Sequence, residues 1–339
     1  MEQGARVSDM QTVSQLDPDT AESETTTISG ETYMSGSNVS FLKSTSSVVD
    51  DILVRYSSSA ESPNVVDPIY EEEWNSLERL NIGSIDIDQY SQTALIDEIL
   101  HHALNGDSTR QVVTANAQFY VLAQKSRRFR CCLSRAEYIC ADGMPIVWAC
   151  NSLYGGRVRR IAGVNLIEKL CHYGSAHNLR VFLLGGRPGT GDITADVLKK
   201  RYPGIQIAGV SCPPYGFERR DDSLQVVLEE ITAARAHILF VGLGAPKQEF
   251  FINNYVRSTR VPLAIGIGGS FELLSGKLQR APQWMQSSGL EWAYRLSQEP
   301  ARLWKRYLIG NTEFIWHCAI AKLASLTRRE NSLIVESPE

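Results

Sequence analysis

Asp142 stands directly after an apolar, strand-compatible run, Tyr138–Ala141, and is followed by Gly143. A carboxylate in that position can take the proton of a hydroxyl lying within hydrogen-bond reach. The alternative is a helix N-cap, because Asp ahead of Gly143–Met144–Pro145 is a fair capping sequence. Thr114 and Asn116 close an earlier apolar run. Their short polar side chains suit a sugar hydroxyl or a phosphate oxygen, or else a local turn or cap. Arg160 ends the basic run Arg157–Arg160. Its guanidinium could hold a diphosphate through two parallel hydrogen bonds, although an arginine in such a run is usually solvated. Gln248 and Glu249 follow Pro246–Lys247, where proline marks a helix start. That start signal explains the proline but not a Gln and a Glu side by side. Glu272 follows Gly268–Gly269–Ser270–Phe271, and a carboxylate there suits a ribose diol or a pair of sugar hydroxyls.

Short β-branched runs separated by amphipathic stretches position these residues. The strands expected are Gln111–Thr114, Tyr138–Ala141, Arg180–Leu184, Gln206–Val210, His237–Val241 and Pro262–Ile267. Helical periodicity fills the intervals, as in Ile193–Arg201 and Ser223–Ala234. Such alternation predicts parallel βαβ units: an α/β fold with a Rossmann-like, mostly parallel sheet covered by helices. Ligands bind such sheets beyond the C-terminal ends of the strands. Glycine or small polar residues stand at those ends, including Gly185 and Gly186, Gly242 and Gly244, and Gly268 and Gly269. Backbone that a ligand can approach, with helix N-termini beyond it, points to a nucleotide-type ligand.

The charge of the chain is unevenly spread. Residues 1–66 hold ten Asp/Glu against three Lys/Arg, and the remainder holds 28 against 31. The first segment is rich in Ser and Thr and poor in aromatics, and is expected to be a disordered acidic leader. Residues 67–288 are expected to form the Rossmann-like domain. Residues 289–329 form a basic, aromatic-rich helical appendage, with Trp292, Trp304 and Trp316. A stretch of that kind can lie on an anionic membrane surface or pack as an ordinary helical pair. No run approaches the ~18–20 apolar residues of a membrane span, and no secretory signal is visible. The seven cysteines are odd in number and include no C-x-x-C pair, which favours a reducing compartment. A cytoplasmic location, peripheral on the inner face of the membrane, is therefore expected.

Several runs together resemble the bacterial WecG/TagA/CpsF glycosyltransferases, glycosyltransferase family 26. They are Thr114-x-Asn116, Ala141–Asp142–Gly143, Arg160–Gly163, Val181–Gly186, Val241–Glu249, Gly268–Phe271, Arg280–Ala281–Pro282, Gly289–Trp292 and Glu299–Arg302. The resemblance covers roughly residues 80–315 and leaves out the acidic leader. It implies inverting, metal-independent transfer of an N-acetylmannosamine-type or related sugar from a UDP-sugar. The acceptor it implies is a sugar on an undecaprenyl diphosphate carrier, in cell-surface polysaccharide synthesis. It also implies that Asp142 is the catalytic base and that Thr114, Asn116, Arg160, Gly185, Gly186, Gln248 and Glu272 bind substrate. Arg295, Arg302 and Lys305 match basic positions of the family's appendage, which completes the active site. Two departures stand out: Glu272 where the family usually has Asp, and Lys305 where it commonly has Arg. No cofactor is expected, since the resemblance implies metal-independent transfer. The expected partners are the UDP-sugar donor, the polyprenyl-diphosphate-linked acceptor and the membrane surface, with a homo-oligomer compatible.

Competing readings fare less well. A Rossmann dehydrogenase needs G-x-G-x-x-G after its first strand, and here that strand ends in Thr114–Ala115–Asn116. A non-catalytic nucleotide-sugar sensor docked at the membrane would not need the acid at 142. The basic residues form no stripe with a nucleic-acid-binding signature.

Overall fold

The computed structural model describes residues 79–155 and 158–335, with the side chains of 324–335 left aside. The acidic leader, 1–66, and Arg157 lie outside the described residues. The described chain begins with a small antiparallel hairpin, β1 (Arg79–Asn81) and β2 (Asp86–Asp88). It continues as α1 (Gln92–Asn105), β3 (Arg110–Ala115), α2 (Ala117–Lys125), α3 (Arg127–Leu133), β4 (Tyr138–Ala141), α4 (Met144–Tyr154) and α5 (Gly163–Gly174). The second half runs β5 (Arg180–Gly185), α6 (Thr190–Arg201), β6 (Gln206–Ser211), α7 (Asp221–Ala234), β7 (Ile238–Gly242), α8 (Lys247–Asn254), β8 (Leu263–Gly266) and α9 (Ser270–Leu274). Five further helical segments follow. They are α10 (Gln283–Ser287), α11 (Glu291–Gln298), α12 (Pro300–Trp304), a π-helical segment over Lys305–Gly310, and α13 (Asn311–Val335).

All six expected strands form one sheet, in the order β4-β3-β8-β7-β5-β6, and every pairing is parallel. The fold is Rossmann-like with a helical C-terminal appendage. The hairpin ahead of it was not anticipated, because three-residue strands carry too little periodicity to register.

Strand alternation sorts the core onto two faces. Val112, Val181, Leu183, Phe240 and Ile265 pack with Leu95, Ile99, Leu166, Leu170 and Leu198 of α1, α5 and α6. On the other face Val113, Ala115, Ile139 and Ala141 meet α2, α3 and α4. Phe182, Leu184, Leu239, Val241 and Ala264 meet α7 and α8. The strands are therefore apolar on both sides, as parallel strands covered by helices must be.

The chain runs outward from β3 to β4, crosses to β5 and β6 on the far side, then fills the gap with β7 and β8. The strands point the same way, so Ala115, Ala141, Gly242 and Gly266 end along one edge, and the crevice opens there. The appendage folds back over this edge. Phe314 is 1% exposed in the core and meets Tyr120 edge-on, with ring centroids 5.0 Å apart. A Lys125–Glu313 ion pair of 2.7 Å lies beside it.

Candidate active site

A recess opens at the C-terminal edge of the sheet and is closed from above by the appendage. Its floor carries Thr114, Asn116, Asp142 and the loop tips Gly244 and Gly268. Its roof carries Glu291, Trp292, Arg295, Arg302, Arg306 and Tyr307, with Arg160 between the two.

Asp142 leaves β4 with its backbone N–H donating to Ala115 O at 2.7 Å. It does not cap α4, whose N-cap is Gly143 with no side-chain capping bond. The carboxylate is thus free for another task. It is enclosed by protein on most sides, yet its side chain keeps 29% exposure because the recess is open. Burial raises its pKa above the ordinary aspartate value. Arg160 opposes the rise, Glu291 adds to it, and Arg295 and Arg306 oppose it more weakly. A raised pKa makes the carboxylate a better proton acceptor once ionised.

Arg160 joins floor and roof. Its Nε donates to Asp142 O at 2.7 Å, and its Nη2 donates to Glu291 Oε2 at 2.5 Å. The same Nη2 lies 3.9 Å from Asp142 Oδ1. Arg160 therefore holds α11 against the tip of β4 while facing the recess.

Two floor residues are engaged in local architecture. Thr114 Oγ1 donates to Gly266 O at 2.9 Å, tying β3 to β8. Asn116 Oδ1 accepts from Gln118 N at 3.0 Å and caps α2; its amide donors have no protein acceptor among the described residues. Both still line the recess. Gln248 lines it too but is only 2% exposed, with its side-chain oxygen accepting from Gly244 N and Gly268 N.

Four of the expected residues do not face the recess. Gly185 and Gly186, with φ of +96° and +79°, form the turn after β5. A Cβ at Gly185 would stand 2.7 Å from Gly242 O, so the turn packs directly on the neighbouring strand. Glu272 is 9% exposed in α9, with Oε2 buried and without a hydrogen-bond partner. Lys305 points away, its ammonium 5.4 Å from the centroid of the Trp304 ring.

Arg306, one residue further, lines the recess instead and was not singled out from the sequence. Four residues make roughly one helical turn, so Arg306 falls beneath Arg302. The wider π-helical turn over Lys305–Gly310 keeps a three-residue step further from alignment. Burial lowers the Arg306 pKa below the usual guanidinium range, and the proximity of Arg295 adds to this. The group remains charged at neutral pH. Arg302 pairs with Glu299, which also binds Arg187 at 2.6 Å. Among the described residues, neither Arg295 nor Arg306 has a carboxylate at ion-pair distance. The lining thus holds four arginines against Asp142 and Glu291, an arrangement that receives a dianion such as a diphosphate diester. Among the described residues no group of three His, Cys, Asp or Glu side chains is placed to hold a metal.

Comparison with known proteins agrees with this chemistry. Residues 80–328 match the glycosyl transferase WecG/TagA/CpsF family. A relative from Bacillus spizizenii is 33% identical over 227 residues, which is 67% of this chain and 86% of the relative. One from Bacillus subtilis is 33% identical over 64% of this chain and 82% of its own length. One from Staphylococcus aureus is 28% identical over 69% and 89%. Each is named N-acetylglucosaminyldiphosphoundecaprenol N-acetyl-beta-D-mannosaminyltransferase.

Proposed function

The chain belongs to the WecG/TagA/CpsF family of glycosyltransferases, and from that premise we propose a specific reaction for it. The protein moves an N-acetylmannosamine-type sugar from a UDP-sugar to an undecaprenyl-diphosphate-linked sugar acceptor, in cell-surface polysaccharide synthesis. The observation that carries this reading is Asp142: a non-capping carboxylate on the floor of a recess whose roof and walls supply four arginines.

Transfer from an α-linked nucleotide sugar to the β-linked product named for the relatives inverts the anomeric carbon. Inversion needs one displacement. The acceptor hydroxyl oxygen forms the new C1–O bond and its proton passes to the Asp142 carboxylate. The bond between C1 and the β-phosphate oxygen breaks, and its electron pair leaves with UDP. Arg160, Arg295, Arg302 and Arg306 take up the diphosphate charge, so the mechanism needs no metal ion. Floor and roof divide the work, with the sugar and nucleotide of the donor seated on the strand tips and both diphosphates facing the arginines beneath the appendage.

Such an acceptor keeps its hydrocarbon chain in the bilayer, so in this reading the recess opens at a membrane surface, and we place it on the inner face. Among the described residues no helix is long and apolar enough to cross a membrane. The appendage does present Trp304, Leu308, Ile309, Ile315 and Trp316 to solvent, Trp316 at 67% exposure. These side chains, with the surrounding basic residues, suit peripheral attachment.

The test is a screen of purified protein with several UDP-sugars and a short-chain lipid diphosphate-N-acetylglucosamine acceptor. Transfer from UDP-N-acetylmannosamine or a close analogue is the expected result. Absence of transfer from every UDP-sugar, by protein that binds UDP, would favour the sensor reading.

A further inference from the structure

At the ends of β7 and β8, behind the recess, two adjacent polar side chains lie in the interior. Gln248 is 2% exposed and Glu249 is fully buried. The Gln248 oxygen Oε1 accepts two backbone hydrogen bonds, from Gly244 N at 3.1 Å and Gly268 N at 3.0 Å. One glycine belongs to the loop after β7 and the other to the loop after β8, and both loops line the recess. The Gln248 amide Nε2 donates to Glu249 Oε1 at 2.7 Å.

This arrangement has only one workable orientation. Turned over, the amide would set its N–H₂ against two N–H donors and its oxygen against a carboxyl oxygen. The surrounding backbone is fitted to the pair as well. A Cβ at Gly266 would stand 2.7 Å from Gln248 Nε2 and 3.0 Å from Glu249 Oε1. Only glycine leaves room for both side chains there.

Glu249 itself has no catalytic access. It does not line the recess. Its Oε2 has no hydrogen-bond partner, and among the described residues no Lys or Arg lies at ion-pair distance. Burial pushes its pKa up to about 7. A buried carboxyl without a counter-ion is destabilising, and among the described residues the hydrogen bond from Gln248 is the one its carboxyl receives from another side chain.

We propose that Glu249 is a positioning residue: by fixing the amide of Gln248, it lets one carbonyl oxygen clamp the Gly244 and Gly268 tips at the spacing the nucleotide-sugar substrate requires. The clause about the substrate rests on the function proposed above; the clamp itself does not. The role needs a hydrogen-bond acceptor at Oε1 and does not need a charge. Glu249→Gln reproduces a neutral carboxyl, with one acceptor and one donor group. Glu249→Met keeps the volume and removes both.

The experiment uses the full chain and two readouts. Amide hydrogen exchange at Gly244 and Gly268, followed by NMR without substrate, reports the clamp. Steady-state kinetics report its use. In E249M both amides should exchange at least about tenfold faster, and the KM for the UDP-sugar should rise about tenfold with kcat changed less than about threefold. E249Q should restore both to within about threefold of the unaltered protein. Unchanged exchange in folded E249M, or E249Q behaving like E249M, overturns the proposal. The unaltered chain supplies a control in case E249M fails to fold. There Gly244 and Gly268 should exchange at least about tenfold more slowly than Gly269, whose N–H has no such acceptor among the described residues. Equal rates would mean that the clamp does not exist. Because exchange is read without substrate, its outcome is separate from the identity of the donor.

Discussion

On the sheet side of the recess the polar groups are committed before any substrate arrives. Thr114 holds Gly266, Asn116 caps α2, and Gln248 spans two loop tips and Glu249. On the appendage side, Arg295 and Arg306 are enclosed but have no carboxylate at ion-pair distance among the described residues. Among the described residues Arg302 is paired with Glu299, and contacts such as Arg160–Glu291, Arg187–Glu299 and Phe314 hold the roof down. The sheet side is built for fixed geometry, where a small displacement of a reacting group is expensive in rate. The appendage side is built for charge, which acts over longer distances and tolerates small movements. Substitutions on the two sides should therefore fail differently: on the floor through turnover at Asp142 and donor affinity at the clamp, on the roof through acceptor affinity and salt dependence.

The sharpest way to break this division is Asp142→Asn. It should lower kcat by about 10²–10⁴-fold while leaving UDP affinity nearly unchanged. Measured turnover near normal would remove Asp142 as the base. The fold should not suffer. Since the folded carboxyl has a raised pKa, its ionisation weakens the folded state as pH rises through that value. The Asn variant should melt no lower than the unaltered protein at pH 7.

The same shift predicts the acid limb of the pH profile. The base form is lost as pH falls through the folded pKa, so kcat/KM, which reports the free protein, should drop about tenfold per pH unit below it. The midpoint should lie above the ordinary aspartate value. A limb at or below that value would mean that the arginines outweigh burial.

On the roof, Arg306→Ala should raise the KM for the lipid-linked acceptor by about 10–100-fold, with a smaller fall in kcat and a weaker dependence on salt. Lys305→Ala should change it less than about threefold, because its ammonium lies against Trp304 outside the recess. Equal effects at the two positions would show that the roof rearranges on binding.

Glu291→Gln tests the link between the halves. It keeps a hydrogen-bond acceptor for Arg160 but removes the charge, and should raise both KM values about three- to tenfold. The smallest expected effect is that of EDTA: activity should be unchanged within error. Its abolition, with recovery on added Mg²⁺ or Mn²⁺, would mean that the arginines do not handle the leaving charge alone.

Much of the sheet side was legible in the primary sequence. Each βαβ unit announces itself through neighbouring residues: apolar runs, glycine at the exit and a helical period beyond. Six strands and the place of Asp142 after β4 could therefore be read locally. The three-residue hairpin β1–β2 could not, for want of any period to detect. The family-specific runs, from Thr114-x-Asn116 to Glu299–Arg302, carry the chemistry class in the same local way.

The tertiary structure decided what each polar group does. Arg160 meets Glu291, 131 residues away, because the crossover from β4 to β5 and the returning appendage converge on one strand tip. Asn116 became a cap and Gln248 a clamp, since the fold brings backbone N–H groups within hydrogen-bond reach of each. Arg306 rather than Lys305 faces the recess because the helix widens there and turns one residue inward and the other out. Local patterning specifies which elements form and what chemistry they carry. Which side chain of a basic run reaches the site depends on helix phase and on the packing of distant elements, and neighbouring residues do not encode either.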